Sequence, residues 1–127
     1  MTRWRAGRAA LAAAVLAPLL AMAEPVTLTA PEVDTLLRDR TAVGDWNGTP
    51  YRQYFDPNGR TVYQPKGGRP DQGKWRVNAK TGAYESWWER SGWSGYGIAR
   101  EGETHYWVES SGKRHRFTVV DGRKLTF

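Results

Sequence analysis

Downstream of Thr41 the chain alternates. In Gly73–Asn78, Trp75 and Val77 fall on one side of an extended backbone and Lys74 and Arg76 on the other; Phe117 and Val119 repeat the pattern near the C-terminus. A period of two marks a β-strand with one buried face. The runs YRQYF, RTVYQP, GKWRVN, AYESWWE, GYGIARE, THYWVES, RHRFTVV and RKLTF are separated by turn signals. These are Asp56-Pro57-Asn58-Gly59, Lys66-Gly67-Gly68, Lys80-Thr81-Gly82, Ser91-Gly92, Glu101-Gly102, Ser111-Gly112 and Asp121-Gly122. The pattern predicts a mostly β fold, an antiparallel meander of about eight short strands. Curling of the sheet, or closure into a small barrel, removes the exposed edges. Asp121-Gly122 predicts a two-residue hairpin pairing RHRFTVV with RKLTF.

Upstream the period changes. Val33, Leu36 and Leu37 form one apolar stripe at helical spacing. Thr29 and Glu32 occupy the N-cap and N3 positions of a capping box, with Leu28 and Val33 at the staple positions. Pro31 is tolerated in the first turn, and Asp34 stands four residues before Arg38. One short amphipathic helix is predicted. At that length it is not stable by itself, so its stripe requires an apolar landing site.

The first 23 residues fit neither pattern. Arg3, Arg5 and Arg8 precede an apolar run from Ala9 to Leu20, and Ala21-Met22-Ala23 has the small-x-small form of a signal peptidase site. The expected organisation is a signal peptide over 1–23, an N-terminal arm with the helix over 24–41, and a β-meander domain over 42–127. The expected location is the periplasm or the exterior, with no transmembrane segment after cleavage. Loss of the three leader arginines lowers the formal charge from +6 to +3, which weakens the case for a polyanionic partner.

The chain has no cysteine, so the domain must be held by packing alone. Beyond residue 23 it carries only thirteen Leu, Ile and Val side chains, against six Trp, six Tyr and three Phe. The core is therefore expected to be built from aromatic rings. This bears on Glu85–Tyr96, ESWWERSGWSGY, where Trp87 and Trp88 cannot share a core layer because strand neighbours point to opposite faces. Glu85, Trp87 and Glu89 share one face; Tyr84, Ser86 and Trp88 share the other. Two unpaired glutamates are costly to bury. That places Trp88 and Tyr84 inside and Trp87 outside. There the helix or a ligand covers Trp87, or it forms with Trp93 and nearby arginines a solvent-facing aromatic surface.

Gly44-Asp45-Trp46, following the helix and opening the first strand, resembles the Gly-x-Trp signature of the calycin barrels, the lipocalins and their relatives. The resemblance implies a tryptophan that plugs the closed end of a barrel with an arginine packed over it, a part that would fall to Arg123. Gly73-Lys74-Trp75 repeats the motif. From Val43 to Phe127 the chain is also similar to small exported β-domains of proteobacteria grouped in uncharacterised families. Those share a helix, a Gly-x-Trp, a Tyr-rich hairpin, a Gly-Lys-Trp strand and a Trp-rich hairpin. They often carry a cysteine pair around that last hairpin, at places held here by Glu85 and Gly95. No activity follows from either resemblance.

Catalysis finds little to work with. His105 and His115 lack the spacing of metal ligands or of a triad, and Ser91, Ser110 and Ser111 sit at turns, where serine is common. Glu85 and Glu89 flank the double tryptophan, but strand spacing sets them far apart for the paired carboxylates of a glycosidase. A non-catalytic domain without cofactor or metal is expected. The best charged feature is Lys113-Arg114-His115-Arg116, which the predicted hairpin would join to Arg123 and Lys124 as one cationic patch, or which serves only as a solvated edge. Trp87, Trp93, Lys113, Arg114 and Arg116 are the candidate binding residues. The expected partner is a cell-envelope glycan, an anionic headgroup or a periplasmic protein, and not nucleic acid. The alternative is an inhibitor of lysozyme-type hydrolases. Ser110-Ser111-Gly112-Lys113 resembles the Ser-Gly loops with which small periplasmic β-barrel inhibitors enter a lysozyme cleft, their hydroxyl and ammonium groups bonding the catalytic carboxylates.

Overall fold

The computed structural model describes residues 24–127; the leader expected over 1–23 lies outside them. A two-residue strand β1 (Val26–Thr27) and helix α1 (Ala30–Leu37) precede eight longer strands. These are β2 (Arg40–Trp46), β3 (Thr49–Phe55), β4 (Arg60–Pro65), β5 (Asp71–Val77), β6 (Tyr84–Trp88), β7 (Gly92–Glu101), β8 (Thr104–Val108) and β9 (Arg114–Asp121). Each pairs antiparallel with the next, and β9 returns to pair with β2, from Arg40↔Asp121 to Gly44↔Phe117. The result is a closed antiparallel barrel of eight strands with one short helix.

Strand β7 is too long for one neighbour. Its first half pairs with β6, from Trp88↔Gly92 to Tyr84↔Tyr96, and its second half with β8, from Gly97↔Val108 to Glu101↔Thr104. Where β6 stops, β1 takes over that edge through Val26↔Arg100 and Thr27↔Ala99, and the Leu28 N–H donates to the Ile98 carbonyl at 2.8 Å.

All seven turn signals fall at turns. The β2–β3 turn, Asn47-Gly48, belongs with them: both residues have positive φ, 50° and 94°, as a tight hairpin of primed type requires. The Asp121-Gly122 signal works differently from its expectation. Both edges of β9 are taken, by β8 and β2, so RKLTF has no strand to join and no hairpin forms. Gly122 (φ 71°) instead turns the chain over the outside of β2 and β3. There the Gly122 N–H donates to the Asp39 carbonyl at 2.9 Å, the Lys124 N–H to Thr41 Oγ1 at 2.9 Å, and Arg52 to the Lys124 carbonyl at 2.9 Å. The eighth barrel strand is β2, which begins at Arg40.

Helix α1 closes one end. The Thr29 N–H and hydroxyl both donate to Glu32 Oε1, at 3.0 and 2.9 Å, and Arg38 holds Asp34 at 2.6 Å. Val33 and Leu37 are fully buried and Leu36 partly so. They join Leu28, Phe55, Trp75, Tyr84, Ile98, Trp107 and Phe117 in a single core. The core is aromatic, as the scarcity of aliphatic residues requires. Phe55 meets Trp75 and Tyr84 edge-on at 5.5 and 5.6 Å, and Trp107 stacks on Phe117 at 4.1 Å.

Candidate functional site

Away from α1 the barrel interior is not filled. Two glycines shape it. Gly44 on β2 faces Tyr51 on β3, and a Cβ there would stand 2.9 Å from Tyr51 Oη and 3.0 Å from the Arg116 carbonyl. On β5, a Cβ on Gly73 would strike the Trp87 carbonyl and lie 2.7 Å from Cε3 of Trp88. Each Gly-x-Trp glycine thus leaves room for a ring from the neighbouring strand to lie across it. The tryptophans of the two motifs then divide. Trp46 stands at the open end, stacked on His115 at 4.0 Å and edge-on to Tyr96 at 5.6 Å. Trp75 stands at the closed end, its Nε1–H donating to the Asp56 carbonyl at 2.8 Å, with Arg38 over its ring at 5.4 Å. Arg123 instead lies over Tyr54 on the outer wall at 5.7 Å.

Between these ends lies a cavity of about 370 Å³, within the range of small-molecule sites. Its wall is made by Trp46, Tyr51, Gln53, Tyr63, Tyr84, Ser86, Trp88, Tyr96 and Trp107, with Asp71, Arg90 and Ser91 exposed at the rim. Many polar atoms of the wall bond to one another. Gln53 Nε2 donates to Thr61 Oγ1 at 3.0 Å and to Tyr84 Oη at 2.9 Å, Trp107 Nε1–H to Tyr51 Oη at 2.7 Å, and Trp88 Nε1–H to Ser86 Oγ at 3.1 Å. Behind Trp46, His115 and Glu109 are 2.8 Å apart. Burial pushes the phenol of Tyr51 well above its ordinary range and that of Tyr84 up to about 12. Tyr63 and Tyr96 are also raised, by burial first and then by the carboxylates of Asp45 and Glu109 respectively. All four keep their protons at neutral pH.

Trp88 faces this cavity and Trp87 faces out, as the cost of burying the glutamates indicated. Trp87 and Trp93 are direct cross-strand partners on the outer wall, Trp93 being 43% exposed. Cations attend both: Lys74 over Trp87 at 5.0 Å, and Arg76 over Trp93 at 3.7 Å while also bonded to Glu85 at 2.8 Å. The helix covers neither. Lys113, Arg114 and Arg116 are exposed around the start of β9, Arg114 lying over Tyr106 at 4.8 Å and 3.4 Å from Glu101. Arg114 reaches β7 only at its last residue, Glu101, whereas Trp93 lies at the start of that strand, and Arg123 and Lys124 turn away onto the β2–β3 face, so these residues form separate patches. Glu85 and Gly95 are cross-strand partners, and Glu89 lies in the turn beyond β6. His105 sits toward α1 and His115 toward the open end; among the described residues no group of three or more His, Asp or Glu side chains is placed to hold a metal.

The residues absent from the expected site are Trp46, Tyr51, Gln53, Tyr63, Tyr96 and Trp107. Carrying the Trp88 register through successive hairpins would have put them on the inner face, but not at one height. No family model, curated protein or solved structure matches the chain.

Proposed function

We propose that the chain is an exported, non-catalytic binding domain for a component of the cell envelope, and that its ligand enters the aromatic cavity. The observation that carries this is the cavity: seven aromatic side chains around about 370 Å³, reached past a rim with one carboxylate and one guanidinium. Such an enclosure gives a large apolar contact at low conformational cost, because the rings are already held by their neighbours. Nothing in the wall is arranged as nucleophile and base, and its tyrosines are held protonated, so the chemistry it supports is capture. The outer Trp87–Trp93 face supports binding less well, since its rings already carry cations of their own.

Titration of the domain over 24–127 with soluble peptidoglycan fragments and with dispersed envelope lipids, read by tryptophan fluorescence, tests the reading. A ligand whose signal is lost in Ser86→Leu, which fills the cavity, supports it. A signal lost in Trp93→Ala but kept in Ser86→Leu overturns it in favour of the outer face. The inhibitor reading draws on one observation, the exposed Ser110–Lys113 turn with no ion-pair partner for Lys113 among the described residues. Inhibition of lysozyme in a turbidity assay, abolished by Lys113→Ala, is its separate test.

A further inference from the structure

Cations lie over aromatic rings at six places in the described residues: Arg38 on Trp75, Arg52 on Phe127, Lys74 on Trp87, Arg76 on Trp93, Arg114 on Tyr106 and Arg123 on Tyr54. None of these rings lines the cavity. Among the described residues no cation lies over any of the seven cavity rings. Resting on the reading that the cavity is the ligand site, we propose that it receives a methylated ammonium group carried by a small zwitterion, with phosphate or carboxylate as the opposite charge.

Three features of the wall favour this class over a sugar. Indole N–H groups of Trp88 and Trp107 and the amide nitrogen of Gln53 are already spent within the wall, which leaves fewer donors for hydroxyl groups. A quaternary ammonium asks for none, and is held by ring faces. The carboxylates add a favourable field. Asp71 stands at the rim without an ion-pair partner among the described residues, and Asp45 and Glu109 lie near enough to oppose ionisation of Tyr51, Tyr63 and Tyr96. The third feature is Arg90, also at the rim and also without an ion-pair partner there. It repels a lone cation but meets the anionic end of a zwitterion whose ammonium lies deeper, so the two rim charges together select a ligand bearing both.

The test is calorimetric titration of the domain with phosphocholine, glycine betaine, choline, the neutral isostere 3,3-dimethylbutanol, and N-acetylglucosamine. Phosphocholine should bind tightest and the isostere at least tenfold more weakly than choline, since shape is matched and only the charge is gone. Arg90→Gln should bring phosphocholine down to the affinity of choline. Trp88→Leu should abolish binding of both, with Tyr96→Leu as a second probe should the first variant lose its fold by circular dichroism. Sedimentation with phosphatidylcholine vesicles, but not phosphatidylglycerol vesicles, would identify a lipid headgroup as the source; binding to free phosphocholine alone would identify a soluble one. Equal affinity for choline and its isostere overturns the inference, as does binding of N-acetylglucosamine without any ammonium. Either result leaves the cavity standing as a site. The cavity reading itself falls only through the Ser86→Leu and Trp93→Ala comparison.

Discussion

At the end closed by α1, Phe55, Trp75 and Tyr84 meet edge to face, and Val33 and Leu37 complete the cluster. At the other end Trp46, Tyr63, Trp88 and Tyr96 stand around open space, though they belong to the same barrel and share the same ring chemistry. The difference lies in what the chain supplies to fill between the rings. One end receives an amphipathic helix with two fully buried aliphatic side chains; the other receives only turns. Rings packed against aliphatic groups contribute stability through burial. Rings left facing each other across a gap keep unused surface for something else to cover. The barrel thus separates a packed core from an open aromatic cavity by height along its axis, and on the proposed function these are its stabilising and its binding ends.

That separation can be broken from either side. Phe55→Ala, at the closed end, should cost about 3–5 kcal/mol, as fully buried aromatics do, read as a shift of the denaturant midpoint. Trp88→Ala should cost about 2 kcal/mol, less than a fully buried ring, because part of the indole borders the cavity; it should nonetheless remove ligand response. Its neighbour Trp87→Ala, on the outer wall, should cost under about 1 kcal/mol. If Trp88→Ala proved as damaging as Phe55→Ala, the open end would be core rather than site. The smallest effect concerns pH. Burial, and then the Arg100 charge, hold the His105 imidazole below its ordinary value. The unfolded chain therefore takes up this proton first, and stability should fall as pH drops below about 6.5. Because His105 lies toward α1, His105→Gln should flatten that slope between pH 7.5 and 5.5 in denaturant titrations without altering the fluorescence of the cavity tryptophans.

Much of the architecture is written locally. Turns are legible because each needs a backbone that glycine adopts readily: Gly59, Gly82, Gly102 and Gly112 all have positive φ. The inward direction of Trp88 follows from the price of burying Glu85 and Glu89. The helix follows from its box and stripe. What is not local was not legible. Nothing in RKLTF shows that β9 already has two partners, and that depends on β2 arriving from 75 residues earlier, the separation of Thr118 from Val43. The cavity is harder still, since its wall takes residues from six strands and exists only where their inner faces reach the same height. In sequence Gly44 and Gly73 read as a motif attached to a tryptophan, whereas in the fold each serves a ring on the next strand. Exposed aromatic and basic residues accordingly point outward, to Trp93 and Arg114, whereas the cavity lies inside.

The β2–β9 pairing has a kinetic consequence. All other contacts between adjacent barrel strands join neighbours in sequence, so they form over short loops, whereas this one brings Arg40 to Asp121 and Gly44 to Phe117. Long loops close late, and the seam should be the final step of folding. At the open end that seam is crossed by the stack of Trp46 on His115, so one wall of the cavity does not exist until the ring is complete. If the cavity is the binding site proposed above, finishing the fold and becoming able to bind are one event, and an occupant touching Trp46 would act as a latch that slows reopening.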